Sequence, residues 1–373
     1  MKLRIITGYI LKEMLGPFFL GFVLFTLIFL SDKMTELTDL VINCGVGVFT
    51  TLELLIYIMP AFLAITMPMG VLVGVMVAFN RLNSDNEIIA MKISGVNIRN
   101  LILPVLAASL LGSFIMIGWN NYVLPWGNSS FKNLVYKITS ERASLAIQQK
   151  VFVTDFDKFI FYVDEKDDKN TFKNITVFAR ETGEEPSYFI SAKHGSIHSD
   201  PSEKAVYLRL EDGTVHQANP KEKNFYSRIK FNSYDINIDL KNKLAGMITN
   251  EKSPREMGIK ELGGEIARSF QKGINTNNLK VEYHKKISIP FACTAFTIMG
   301  IALGISIKVK GSSLSFLISL GLILVYYFLL VAGEIAGSGG YLTPWFAMWL
   351  PNIVTGVSGT VLLYLAVREK VSI

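Results

Sequence analysis

Cysteine is scarce, with two residues in 373, Cys44 and Cys293. One falls in a loop and the other inside an apolar stretch, so they form no disulfide framework, and neither is expected to carry function. Of the four histidines, His194 and His198 have the H-x-x-x-H spacing of a metal pair. Gly195 stands where a zinc protease needs its glutamate. Residues four apart on an extended chain lie about 13 Å apart, too far to share a metal unless the backbone bends, so both read as solvated surface histidines. A G-x-x-x-x-G-K-[ST] phosphate loop is also missing, because Lys310-Gly311-Ser312-Ser313 has the wrong order and abuts an apolar stretch. The chain is therefore not expected to hydrolyse ATP by itself. No row of ionisable groups of the kind that marks an ion path runs through the apolar stretches. Glu334, near the end of one, reads as structural, and a coupled-ion transporter is disfavoured.

What is present is apolar length. A helix needs roughly 20 apolar residues to cross a ~30 Å hydrocarbon core. Six stretches qualify, near 9–30, 54–79, 101–122, 287–307, 314–335 and 345–367. Lys2, Arg4 and Lys12 precede the first as they would a signal peptide, but no small-residue cleavage site follows Leu30, so it reads as a retained helix. Cytoplasmic loops are enriched in Lys and Arg. The N-terminus, the second loop (Arg81, Lys92, Arg99), the fourth (Lys308, Lys310) and the tail (Arg368, Lys370) are basic. The first loop offers only Lys33, and 336–344 has neither Lys nor Arg. Both termini are thus expected in the cytoplasm and the polar middle block outside. The net charge of +6 follows from this topology, without nucleic acid as a partner.

The polar block reads as all-β, with strands expected over 151–154, 159–163, 175–179, 188–191, 206–210 and 227–239. Asp212-Gly213, between Leu210 and Val215, is a hairpin turn signal. Strands at this spacing favour a sandwich or jelly roll. Ser253-Pro254 opens a short polar helix to about Lys272, with proline where its missing N–H costs least, and Gly273 ends it. From about Asn278 the chain is helical again, and Glu282, His284, Lys285 and Lys286 form a polar stem into the fourth span. The expected organisation is 1–124 with three spans, 125–283 as the β domain with its linker helix, and 284–373 with the last three spans.

The segment Asn80 to Leu101 is the strongest local signal. Ser84 and Glu87 fit the S-x-x-E capping box. Asp85 and Glu87 oppose the positive end of a helix dipole and Lys92 sits near its negative end, while Gly95 is a natural C′ residue. A short helix over about 85–94 follows. It either rests Ile88, Ile89, Met91 and Ile93 on lipid or docks into a groove on a cytoplasmic ATPase and transmits its movement.

The chain resembles the LptF/LptG (YjgP/YjgQ) permeases of lipopolysaccharide export along nearly its whole length. Ser31-Asp32-Lys33, the RLNSDNEIIAMKISGVN segment, the outer β domain, EYHKKISIPFA and PWFAMWLPN carry the resemblance, which looks closer to LptF. It implies a bacterial inner-membrane α-helical protein with six transmembrane helices plus an inserted periplasmic all-β, jelly-roll-like domain. It implies an ABC transporter permease without catalysis of its own, acting in cell envelope biogenesis. The implied partners are an LptB-type ATPase dimer, a second six-span subunit of LptG type, periplasmic bridge proteins of LptC and LptA type, and lipopolysaccharide. No cofactor belongs to this chain, and ATP with magnesium sits on the ATPase. The family motif places the coupling acid at Glu87, within Ser84, Asp85, Asn86, Glu87, Ile88 and Gly95. It also puts a substrate-contacting cation at Lys33, whose ammonium suits lipid A phosphates, the alternative being a snorkelling lysine paired with Asp32 or Glu36.

Two other readings compete. A membrane-anchored scaffold would use the outer domain to recruit a partner and need no coupling helix. A lipoprotein-releasing transporter subunit usually has four spans and a differently placed outer domain, which the three-plus-three order opposes.

Overall fold

The computed structural model describes residues 2–44, 47–146, 150–156, 159–167, 171–179, 188–200, 205–218, 226–237, 252–307 and 311–369. Lys308, Lys310, Lys370 and the end of the last expected strand lie outside them, as do the side chains of Glu36 and Cys44. Six helical stretches are long and apolar enough to cross a membrane. The chain divides into two compact units, one formed by Met1–Thr38, Leu55–Ser129 and Pro254–Ile373, the other by Asp39–Leu54 and Ser130–Ser253.

The helical unit is built from most of α1 (Lys2–Cys44) and α2 (Val48–Ser84), α3 (Glu87–Ile93), α4 (Arg99–Gly118), the start of α5 (Leu124–Ala146), α6 (Ile259–Gln271), α7 (Asn277–Ser306), α8 (Ser312–Ser338) and α9 (Pro344–Glu369). Helices α2 and α7 are its most enclosed spans. Small residues let them touch, as expected where lipid is no poorer a solvent than a neighbouring helix. A methyl at Gly304 of α7 would sit 2.7 Å from the Phe79 Cβ and 3.0 Å from the Asn80 backbone nitrogen of α2. Polar pins add direction. Asn352 of α9 accepts the Tyr326 hydroxyl of α8 at 2.9 Å and donates to the Ser288 carbonyl of α7 at 2.7 Å, all buried. Glu334 of α8 binds Lys285 of α7 at 2.7 Å, with Arg255 at 3.8 Å. This is the structural role expected of Glu334.

The third span does not stop at Tyr122. Helix α4 runs through a π-helical turn, Trp119–Val123, into α5. Pro125 lacks an N–H and its ring would crowd the carbonyl one turn back, so the wider turn just before it accommodates the ring while the helix continues. The same turn supplies Asn121, whose Oδ1 accepts the Ile259 N–H at 2.8 Å and so caps α6. The polar helix expected from Pro254 is accordingly split. Pro254–Glu256 is a 3-10 turn, and α6 begins after Gly258, whose N–H donates to Glu261. Gly273, at φ +70°, ends it.

In the second unit six strands, β1 (Phe152–Phe156), β2 (Phe159–Asp167), β3 (Thr171–Ala179), β4 (Tyr188–Asp200), β5 (Ala205–Ala218) and β6 (Tyr226–Asn237), form one antiparallel sheet in the order β1-β2-β3-β4-β5-β6. The all-β domain is present, inserted between the third and fourth spans, and its described strands run as a meander, each beside its sequence neighbours. One face buries Phe161, Val163, Val177, Ile190, Leu208 and Leu210 together with Tyr136 of α5. Asp212-Gly213 makes no hairpin: β5 passes straight through it and stays paired with β4 and β6 on both sides. Asp212 takes φ +51°, and Gly213 lies under the Phe231 ring, where a methyl would collide with Phe231 Cζ and sit 2.7 Å from the Ser191 carbonyl. The turn chemistry is spent on a local distortion within a continuous strand.

Candidate functional site

The last turn of α2 points Leu82 and Asn83 inward. Asn83 Nδ2 donates to the Ile305 carbonyl at 2.7 Å, satisfying one of the acceptors that the C-terminus of α7 leaves open. Because α2 is pinned there, it stays helical through Ser84. The expected capping box is therefore corrected. Ser84 closes α2, and Asn86, at φ 57°, is the residue before α3, with no side-chain cap bond. The other end of α3 is as expected. Gly95 has φ +82°, its N–H donates to the Lys92 carbonyl at 2.9 Å, and the Val96 N–H reaches the Met91 carbonyl at 3.0 Å. This paired pattern is the Schellman motif that glycine at C′ permits.

Glu87 turns to the first span. The Tyr9 hydroxyl of α1 lies 2.9 and 3.1 Å from its two carboxylate oxygens, and donates to them. One turn along α1, Glu13 pairs with Arg81 of α2, whose Nε also lies 3.6 Å from Asp85. Beneath this polar ladder Ile88 is buried in one apolar cluster with Ile10, Leu82, Ile98 and Leu101. The α3 helix is thus held at one face by apolar packing and at its head by Tyr9. Its opposite face shows Ile89 and Ile93, one turn apart and 37% and 82% exposed, while Met91 leans on the buried cluster. Of the four apolar residues expected on one surface, two face inward and two outward.

Ser84, Asp85, Asn86, Glu87, Ile88 and Gly95 are all placed at this α2–α3–α4 junction. Lys33 is elsewhere, 24 residues beyond Tyr9 on α1, or ~36 Å at 1.5 Å per residue, and is partly buried next to the exposed Asp32. The two candidate sites lie at opposite ends of the first span. Tyr9 and Glu13 were not read as site residues, and Arg81, read only as a loop cation, lies in the last turn of α2. Their spacing within each helix, Tyr9 with Glu13 and Arg81 with Asp85, was visible as i, i+4 pairs, but nothing local shows that the two helices meet. His194 and His198 both lie on β4, with His198 Nε2 2.9 Å from the Ser196 hydroxyl.

Similarity to the uncharacterized protein RP871 of Rickettsia prowazekii (strain Madrid E) amounts to 23% identity over 219 residues, 58% of this chain and 59% of that one. This chain therefore spans less than two thirds of that relative's length. The family described as lipopolysaccharide export system permease LptF/LptG matches residues 8–365, without separating LptF from LptG. With a match over nearly its full length, the chain belongs to the LptF/LptG family of lipopolysaccharide export permeases.

Proposed function

We propose that this chain is one permease subunit of an ABC-type exporter that takes lipopolysaccharide from the outer leaflet of the bacterial inner membrane and passes it to a periplasmic bridge. As a permease it is a transport component, and the ATPase belongs to a separate LptB-type dimer carrying ATP and magnesium. The second subunit is of LptG type and the bridge of LptC and LptA type, since the first loop and the RLNSDNEI segment of this chain look closer to LptF. Both termini face the cytoplasm and the β domain the periplasm, in keeping with the alternation of Lys and Arg between loops. Lys33, at the far end of the first span, meets lipid A phosphates.

One observation carries the coupling role: a seven-residue helix between two spans, closed by its own C-cap and seated by Ile88, that presents Glu87 and an outer Ile89–Ile93 face. A brief turn would have joined the spans. Two substitutions separate charge from positioning. Glu87→Gln keeps an acceptor for Tyr9 but removes the charge, and Tyr9→Phe keeps the charge but removes the donor. In reconstituted vesicles with the ATPase, Glu87→Gln is expected to fold and assemble yet lose most ATP-driven lipopolysaccharide release. Tyr9→Phe is expected to lower release about fivefold, as for loss of ~1 kcal/mol from a partly solvated hydrogen bond to a carboxylate. Normal release by Glu87→Gln would sink charge coupling. Purification from the envelope without any ATPase, even after crosslinking, would favour the scaffold reading instead.

A further inference from the structure

A single transverse row interrupts the β sheet. The pairings on either side place Asp164 of β2 opposite Asn174 of β3, then Lys193 of β4, Asp212 of β5 and Asn232 of β6. At this row the alternation of buried residues slips by one place. Ile190 and Ala192 are buried before it on β4 and Gly195 after it, and on β5 Leu208 and Leu210 give way to Gly213. Asn174 and Asp212 both adopt φ +51°, a conformation that asparagine and aspartate tolerate better than other side chains. The sheet is therefore creased across five strands, β2 to β6, with every residue of the row polar.

On the face turned away from the apolar core, the crease forms a cavity of about 510 Å³. Lys193, Arg228 and Lys230 line it with a single acid, Asp212, and the remaining polar wall is made of amides and hydroxyls such as Asn174, Thr176, Ser191 and Thr214. Elsewhere on the same face exposed cations are paired, Lys173 with Glu165 at 3.3 Å and Arg209 with Asp235 at 2.8 Å. Among the described residues, no acid pairs with any of the three cations of the crease. Like charges gathered in a concave, polar site create a positive potential that an anion relieves.

We propose that this crease binds a phosphorylated saccharide, its phosphate held by Lys193, Arg228 and Lys230 and its hydroxyls by the amide and hydroxyl wall. The Arg228 guanidinium suits a phosphate as a two-pronged donor. A protein partner fits less well, because peptide-binding hot spots centre on aromatic or apolar anchors in a dry pocket, whereas this cavity is mostly polar, with Phe231 and Ala192 its apolar side chains. The assignment rests on the export reading for its biological source, the sugar-phosphate part of the transported glycolipid, but the chemistry stands on the crease alone.

The test uses the full chain in detergent with glucosamine 6-phosphate as probe, followed by saturation-transfer NMR at low salt. Binding is expected in the millimolar range, at least tenfold tighter than glucosamine or inorganic phosphate alone. It should weaken at least tenfold in the triple variant Lys193→Gln, Arg228→Gln, Lys230→Gln, whose replaced side chains are exposed. Unchanged melting of that variant shows that folding is not the cause. Equal binding of inorganic phosphate would reduce the site to a nonspecific anion patch and overturn the proposal, as would displacement of the probe by a short oligoglutamate at lower concentration. Competition by purified lipopolysaccharide identifies the lipid-linked sugar as the source, and its absence a free sugar phosphate. Loss of ATP coupling in Glu87→Gln leaves this binding untouched, so the two readings fail separately.

Discussion

Arg209 on β5 sets its Nε and Nη2 each 2.8 Å from a carboxylate oxygen of Asp235 on β6. This bond holds the Asp235 carboxyl below the usual range, against a smaller opposing effect of partial burial. A carboxyl whose folded pKa is depressed contributes stability above its unfolded value of about 3.9, and that contribution disappears as pH falls through the folded value. The melting temperature of the native chain in detergent is accordingly expected to drop on acidification below about pH 4 more steeply than that of Asp235→Asn. Parallel acid profiles would refute the assignment. Single residues were legible where the information is local. Gly95 and Gly273 were read as helix ends from glycine alone, and Glu334 as a structural charge from its position. Ser84 was not, because an S-x-x-E pattern describes a helix start only if the preceding helix has ended. The bond from Asn83 to Ile305, 222 residues away, keeps α2 helical to the very residue that would have capped the next.

The α3 helix is short enough that its termini decide its existence. Gly95→Ala is expected to cost about 1–2 kcal/mol, because a side chain at positive φ meets its own carbonyl. Hydrogen exchange of the α3 amides should then lose protection by a factor of about 5–30, with α2 and α4 unchanged. Equal protection in both proteins would mean that packing of Ile88 alone holds the helix. Strands were legible as elements and illegible in length for one physical reason. The expected β2 stops at Val163, just before Asp164, and the expected β3 begins at Ile175, just after Asn174. The expected β4 and β5 end at Ser191 and Leu210, just short of Lys193 and Asp212. Each boundary falls where the crease shifts the in-and-out alternation, so a period-two reading loses phase although the strand continues. Asp212-Gly213 looked like a turn for the same reason: it has the residues of a reversal, used for a distortion.

Across the whole molecule, hydropathy revealed all six spans because lipid selects apolar length, while the contacts between spans stayed hidden. Asn352 lay in a motif that carried the resemblance, yet its bonds to Tyr326 and Ser288 join three successive helices across separations of 26 and 64 residues, and no local pattern reports them. Orientation is testable directly. In a Cys44→Ser background, where Cys293 is buried, single cysteines at Gly340 and Asn97 probe the segments on either side. A membrane-impermeant maleimide added to spheroplasts is expected to label position 340 at once and position 97 only after permeabilisation. The reverse pattern would invert the proposed topology and place the β domain in the cytoplasm.

The crease also limits how the β domain can change over evolutionary time. Its row is shared by neighbouring strands, each paired in register with the next on both sides of the line. Deleting one residue within a single strand would move that strand's phase slip away from its neighbours' and turn its apolar side chains to water on one side. Length changes are thereby confined to the strand ends and connections. The residues of the row must be replaced as a set, and an insertion in any one strand would have to be matched across the sheet.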